Sequence, residues 1–250
     1  MIRTRGDSLV DIEAMPLALS EYDKNAVEAA VQAKEKHGGK VYVLSVLTWP
    51  PAARRVKELE QVMREALAMG ADEAHVVVDE ALIPGDPLAT AEAFAALIRK
   101  LGQVDLVVAG EASMDMISSQ VAARVAALLD LPFIGFARSL EIGDGRVRAV
   151  RDLEDRLETV EAPLPAVVSV TGEANKPRIP TLIQVRRAFR KPINRYSLAD
   201  LGLEPPAKPE LGEIRVLTVS RKNIILEGDN LEEIAEKLID ALIKEGVIKA

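Results

Sequence analysis

The sequence predicts an α/β protein with a doubly wound, mostly parallel sheet, an antiparallel hairpin excursion and a C-terminal arm. Three observations predict it. Short aliphatic runs alternate with helix-patterned segments through the first half, the mark of βαβ units. Those runs are continuously apolar, as expected of strands covered by helices on both faces. The 250 residues are enough to bury one large core, or one core with an appendage.

Strands are expected over residues 40–46, 74–78, 105–109 and 166–171. The first carries Val41, Val43 and Leu44, and the third carries Val107 and Val108. Helices are expected over 23–37, 53–69, 88–101 and 120–129. Ala26, Ala30 and Ala33 share one face of the first, and Val121, Val125 and Leu128 share one face of the last. Gly70 and Gly102 follow their helices where a left-handed cap is expected.

After Phe136 the pattern alternates around Gly143-Asp144-Gly145, which reads as antiparallel strands joined by a tight turn. Arg3–Thr4 and 8–12 around Arg5-Gly6-Asp7 read as a shorter hairpin. The Pro-rich stretch EPPAKPE, from Glu204 on, is a stiff linker. Beyond it a strand over 214–219 and an amphipathic helix over 231–244 have too little core to fold alone. The organisation expected is an α/β domain over 1–197 and, over 198–250, a linker, strand and helix that pack on the main domain or on another chain. A doubly wound sheet usually opens with a buried strand and a ligand-binding loop, whereas this chain opens on the polar hairpin MIRTRGDSLV. Either the first strand is missing here or the recorded start is internal to the reading frame.

Composition excludes several kinds of chemistry. With no cysteine there are no disulfides, thiolate nucleophiles or Cys-ligated clusters. The two histidines, His37 and His75, are not spaced as a ligand pair, so no metal site is expected and any redox role rests on an organic cofactor. A net charge of -7 offers no field for nucleic acid. No run is apolar enough to span a bilayer and no apolar signal core opens the chain, so a cytoplasmic protein is expected. Neither a P-loop nor a G-x-G-x-x-G between strand and helix is present, and no catalytic carboxylate pair stands out.

Three segments carry candidate sites. The loop GEASMDMISSQVA follows the strand ending at 109, where open α/β sheets bind ligands. Gly110 allows close backbone approach, and Ser113 and Asp115 offer partners for a ribose or base. Ser118 and Ser119 stand at a helix start, where free N–H groups suit a phosphate or where either serine caps the helix. The run Ser20 to Asp23 reads as a capping box, with Tyr22 as an exposed ring suited to sit beside a cofactor in a chain of 3% aromatics. In RIPTLIQVRRAFR the residues Arg178, Arg186, Arg187 and Arg190 surround Leu182. This is either a solvated basic helix face or a docking segment with an apolar anchor and a cationic rim.

In their order and spacing, SEYDKNAVEAA, REALAMGAD, GEASMDMISSQVA, LPAVV and PRIPTL resemble the β subunit of electron-transfer flavoproteins, and the FixA proteins similar to it. The resemblance runs from Ile2 to the C-terminal helix, and Phe136 and Leu157-Glu158-Thr159 keep the family's spacing. It implies an adenine-nucleotide-binding, Rossmann-like fold in a heterodimer, with a redox FAD held mainly by the α subunit and AMP or a second FAD held by β. By position, that site would involve Ser20, Glu21, Tyr22, Asp23, Val46, Gly110, Ser113, Asp115, Ser118, Ser119, Gln120 and Val121, with Tyr22 near the α-bound flavin. Arg178, Thr181, Leu182, Ile183, Arg186 and Arg187 would form the partner-docking loop, with Leu182 filling a pocket on acyl-CoA dehydrogenases or related flavoproteins.

The implied role is to accept electrons from flavoprotein dehydrogenases, or from NADH, and pass them to an acceptor resembling ETF:quinone oxidoreductase, without autonomous catalysis. Neither nucleic-acid binding nor direct membrane insertion is expected. Three departures stand out: the family's first strand and its loop have no counterpart ahead of Ile2, Ile117 replaces a usual acidic residue, and Arg187 and Arg190 occupy positions where some members carry modified lysines. Ser118-Ser119-Gln120-Val121 is similar to the loop of electron-bifurcating members. An adenine-nucleotide-binding regulator of universal-stress type is the alternative from another class, against which the docking loop and the tail argue.

Overall fold

The computed structural model describes residues 3–6, 8–207, 212–217 and 221–249. The chain divides into two compact units, Met1–Ile214 and Arg215–Ala250.

In the first unit a two-residue hairpin, β1 (Thr4–Arg5) and β2 (Leu9–Val10), precedes the α/β body. The body runs α1 (Glu21–His37), β3 (Tyr42–Leu47), α2 (Ala52–Met69), β4 (Glu73–Val78), α3 (Pro87–Leu101), β5 (Leu106–Gly110) and α4 (Val121–Leu129). Then come β6 (Phe133–Gly143), β7 (Arg146–Asp152), β8 (Leu157–Pro163), β9 (Ala166–Val170), α5 (Leu182–Ala188) and β10 (Ile193–Tyr196). Strands β10, β4 and β3 form one parallel sheet in that order, and β5, β9, β6, β7 and β8 form another. The second is parallel through β5, β9 and β6 and antiparallel through β6, β7 and β8. Asp144 and Gly145 turn the β6–β7 hairpin at positive φ, 52° and 70°, as a two-residue Asp-Gly turn requires. The expected α/β body with an antiparallel excursion is therefore what the chain forms.

The aliphatic runs form strands because both faces are covered. Val76, Val77, Val167 and Val168 are fully buried between helices whose inner faces are mostly alanine and leucine, such as Ala91, Ala95 and Leu97 of α3. Each such buried aliphatic side chain contributes roughly 1.5–3 kcal/mol. The glycine caps differ from expectation. Gly70 and Gly102 take positive φ, 135° and 91°, outside the left-handed helical region. Gly70 is needed for packing as well: a Cβ there would lie 2.8 Å from Val31 Cγ1. The left-handed cap falls instead on Asp130, after α4.

Among the described residues β3 pairs only with β4, and β5 only with β9. The edges of these two strands face a common cavity of about 1990 Å³, lined through its apolar stretch by Ala26, Val27 and Ala30 of α1, Phe94 and Ile98 of α3, and Val125 of α4. α1 packs on β5 and α2, and α3 packs on β3 and α4, so helices bridge the two sheets on either side.

In the second unit, α6 (Leu231–Lys244) matches the helix read from sequence and is capped by Asn230, whose side chain accepts the Glu233 N–H at 2.9 Å. It buries no residue: Leu231, Leu238 and Ile239 are exposed. The strand expected over 214–219 does not form over 214–217, where Arg215 makes only an isolated bridge and Leu217 is exposed. An apolar, β-prone run becomes a strand only where a neighbouring edge takes its backbone groups. Thr218 and Val219, like Asp7 of the first hairpin and residues 208–210 of the Pro-rich linker, lie outside the described residues.

Candidate nucleotide site and docking segment

The carboxyl ends of β3 and β5 and the start of α1 meet at one end of the cavity. Gly110 closes β5, and its N–H donates to Asp23 Oδ1 at 3.3 Å. A Cβ on Gly110 would lie 2.8 Å from Tyr22 Cβ and 2.9 Å from Asp23 Oδ1, so only glycine lets α1 approach so closely. The close approach that Gly110 permits is thus of a helix. Burial pushes the Asp23 carboxyl up to about 6, against the Gly110 hydrogen bond and with a further push from the charge of Asp115.

Trp49, just past β3, donates from Nε1 to Asp115 Oδ2 at 2.6 Å, which brings the two strand ends together. Burial raises the Asp115 carboxyl, but hydrogen bonds from Ser113, Trp49 and the Met116 N–H outweigh it and hold it below the usual range. Ile117 and Ser119 both take positive φ, 48° and 52°. A β-branched residue in that region is strained by about 1–3 kcal/mol, as at many ligand-binding loops.

Two expectations about caps are corrected here. Ser20 is the N-cap of α1 by position, but its side chain makes no capping bond, and its Oγ is buried with no partner among the described residues. Asp23, the other half of the expected capping box, turns instead to Gly110. Likewise neither Ser118 nor Ser119 caps α4: the N-cap is Gln120, whose side chain accepts from Arg124 rather than from the first-turn N–H groups. The first-turn N–H groups of α4, three nearby hydroxyls and a carboxylate therefore surround one concavity, a donor and acceptor set that fits a nucleotide.

Ser20, Glu21, Asp23, Val46, Gly110, Ser113, Asp115, Ser118, Ser119, Gln120 and Val121 all line this cavity; Tyr22 does not. Tyr22 is half-buried rather than exposed, with its ring edge toward Gly172. Sequence reasoning missed Trp49, although a lone tryptophan just after a strand end was a signal available to it.

The candidate docking segment packs its helix α5 on α2 and meets α1 through Arg178. Thr181 caps α5 in a full capping box, its Oγ1 accepting the Gln184 N–H at 3.4 Å while Gln184 Oε1 accepts the Thr181 N–H at 2.7 Å. Leu182 and Ile183 are 68% and 64% exposed, beside Ile179 at 91% and Phe189 at 61%. The apolar group is thus wider than a single anchor. Arg186 and Arg187 are exposed around it. Arg178 is not part of a free rim: its Nε lies 2.8 Å from Glu28 and its Nη1 2.5 Å from Glu35.

Fold and site together define an α/β protein with a cavity at the carboxyl ends of parallel strands. A family model of the electron transfer flavoprotein domain matches residues 9–201. The electron transfer flavoprotein subunit beta of Thermoanaerobacterium thermosaccharolyticum is 34% identical over 245 residues, covering 94% of this chain and 90% of that protein. The chain belongs to the electron transfer flavoprotein family, among its β subunits. No helix among the described residues is long and apolar enough to cross a membrane.

Proposed function

We propose that this chain is the β subunit of a heterodimer that carries electrons between flavoproteins. It binds an adenine nucleotide, AMP or a second FAD, in the cavity at the ends of β3 and β5, while a redox FAD sits mainly in the α partner. The observation that carries this reading is the buried Ser20 hydroxyl, without a partner among the described residues, in the wall of the same cavity that Ser118 and Ser119 line without capping α4. A buried hydroxyl without a partner costs about 1–3 kcal/mol, a cost that a ligand bonded there would remove. Phosphate oxygens suit Ser118, Ser119 and the first N–H groups of α4, and a ribose suits the Ser113–Asp115 side. A bound flavin supplies the electron carrier; the chain's residues bind it, orient it and exclude water.

The expected boundary at 197 moves, because Leu198, Leu201 and Leu203 pack with Val77, Leu82 and Leu97 in the core of the first unit. The arm that packs on the α subunit is the part beyond residue 203, and that subunit covers the apolar face of α6. Leu182 docks a flavoprotein donor such as an acyl-CoA dehydrogenase, the acceptor is a quinone-linked oxidoreductase, and the complex works in the cytoplasm. The bifurcating reading, with a second FAD in β, is favoured by Ser118-Ser119-Gln120-Val121.

The cavity is about 1990 Å³, against roughly 300–1,000 Å³ for ordinary ligand pockets. We assign the surplus, between the edges of β3 and β5, to one further parallel strand that makes the sheet continuous, with the nucleotide at its carboxyl end. Edge amides of both strands should then exchange slowly in the purified heterodimer, and rapid exchange at both would count against the strand.

The functional reading is tested by co-purification with an α subunit, acid extraction and chromatography. A yellow complex with one FAD and one further adenine nucleotide per heterodimer supports it. A colourless complex, or FAD alone, contradicts it.

A further inference from the structure

α1 carries two polar residues on its buried face, Asn25 and Glu28, 5% and 3% exposed among Ala26, Val27, Ala29 and Val31. Neither reaches the cavity lining. Both turn to the segment that leaves β9 for the docking helix. Asn25 Nδ2 donates to Asn175 O at 2.7 Å, to Asn175 Oδ1 at 3.1 Å and to Gly172 O at 3.2 Å, and Asn175 Nδ2 donates back to Asn25 O at 2.9 Å. Three residues further on, the Glu28 carboxylate accepts from the Arg178 N–H at 3.1 Å and from its guanidinium at 2.8 and 3.0 Å. Burial alone would raise the Glu28 carboxyl; Arg178 and Gln32 hold it below its ordinary value. One turn of α1 thus fixes both ends of the stretch 172–178. The exposed Ile179, the capped start of α5 and Leu182 follow at once.

A loop held this way is already ordered when a partner arrives. An exposed apolar anchor on a loose loop would bind only in the fraction of molecules that present it correctly, and apparent affinity falls by that fraction. The amide of Asn25 is suited to this task. It bonds two backbone carbonyls that would otherwise face an apolar helix, and with Asn175 it forms a reciprocal pair that sets one register.

We propose that Asn25 is a positioning residue for partner docking, fixing 172–178 to α1 so that Ile179, Leu182 and Ile183 are presented in one arrangement. This rests on reading the segment around Leu182 as the docking surface. The same helix carries Asp23 into the cavity wall, so docking surface and nucleotide site share one rigid element.

The test uses the heterodimer, with a substrate-reduced acyl-CoA dehydrogenase as donor and flavin reduction followed by stopped flow. Asn25→Ala should raise the donor concentration for half-maximal rate by roughly tenfold, leaving the limiting rate, dithionite reduction and nucleotide content as in wild type. Amides of 172–178 should exchange faster. In a Leu182→Ala background Asn25→Ala should add less than about twofold, because it acts through the anchor already removed. A merely structural residue would add its full effect there. Asn175→Ala, which removes the return bond, is the second variant should Asn25→Ala fail to fold, and should behave alike. A Leu182→Ala heterodimer reduced at the wild-type rate would remove the docking reading and this inference with it. A slow Leu182→Ala beside unchanged Asn25→Ala and Asn175→Ala would overturn the inference alone.

Discussion

The docking segment and the cavity rim use their polar groups in opposite ways. At the segment, Thr181 is engaged by its capping box and Arg178 by Glu28 and Glu35, so Ile179, Leu182 and Ile183 are left facing outward beside two exposed arginines. At the rim, the Ser20 hydroxyl is buried without a partner among the described residues, and Ser118 and Ser119 stand ahead of a helix that neither caps. A convex surface whose polar groups are already paired suits an apolar partner. A concave one that keeps a buried hydroxyl unbonded beside the engaged Asp23 and Asp115 suits a polar ligand. The difference bears out no single motif. The sequence already reads the first as a basic segment with an apolar anchor or a solvated helix face, and the second as a ligand loop or a helix cap. The geometry shows which polar groups are engaged in each.

Asp23 gives the largest test of the rim. Its folded pKa, about 6, lies above the ordinary 3.8. The stability linked to it is therefore full below pH 4 and is lost as pH rises through 6. Asp23→Asn keeps an acceptor for the Gly110 N–H, so it should be more stable than wild type at pH 7.5, by at most about 3 kcal/mol, and equal to it near pH 4. Denaturant midpoints across that range measure the gap, and a constant gap would mean that Asp23 ionises as an ordinary carboxylate.

Leu182→Ala breaks the other side of the comparison. Losing an anchor costs on the order of 2 kcal/mol, so donor-dependent flavin reduction should slow about thirtyfold, with nucleotide content and heterodimer formation intact. A parallel loss of nucleotide would show that the two sites are not distinct.

Smaller effects should separate the two hydroxyls. Thr181→Ala removes a working cap and should cost about 1 kcal/mol of stability with nucleotide content unchanged. Ser20→Ala removes a hydroxyl with no partner, so stability should hold or rise while nucleotide affinity falls about fivefold. Thermal melts and nucleotide titrations check both, and the reverse pattern would exchange the roles assigned here. The smallest expected effect is at the cationic rim. Arg186→Glu or Arg187→Glu should lower the donor association rate about threefold at low ionic strength, a difference that fades as salt is added.

Contiguous features were legible in the sequence. Aliphatic runs marked β3, β4, β5 and β9, the Asp144-Gly145 turn marked the β6–β7 hairpin, and the helix over 231–244 was read to the residue. Strand β10, which pairs with β4, was not expected, since INRY has no aliphatic run. What was not legible is pairing at a distance. Ser20 and Asp23 have the spacing of a capping box, and only the arrival of Gly110 beside α1 draws Asp23 elsewhere. Trp49 and Asp115 are 66 positions apart, and Asn25 and Asn175 are 150 apart. No periodicity reports such contacts. The run over 214–217 shows the same limit: the Val10 N–H reaches Ile214 O at 2.8 Å and Arg215 forms a bridge, but no strand extends from them through 217, and β propensity does not report where pairing stops. The order of the candidate site residues along the chain was readable through the family resemblance, whereas which hydroxyls are committed to caps depends on local geometry.

The central claim is that an adenine nucleotide occupies the cavity at the carboxyl ends of β3 and β5. The most direct measurement is the nucleotide content of the heterodimer carrying Ser118→Tyr, by acid extraction and chromatography, beside wild type. The phenol ring would fill the space ahead of α4 while leaving its uncapped start unchanged. The account predicts that the β-bound nucleotide is lost and that the FAD held with the α subunit stays. Full retention of both would contradict it and return Ser118 to an ordinary loop serine.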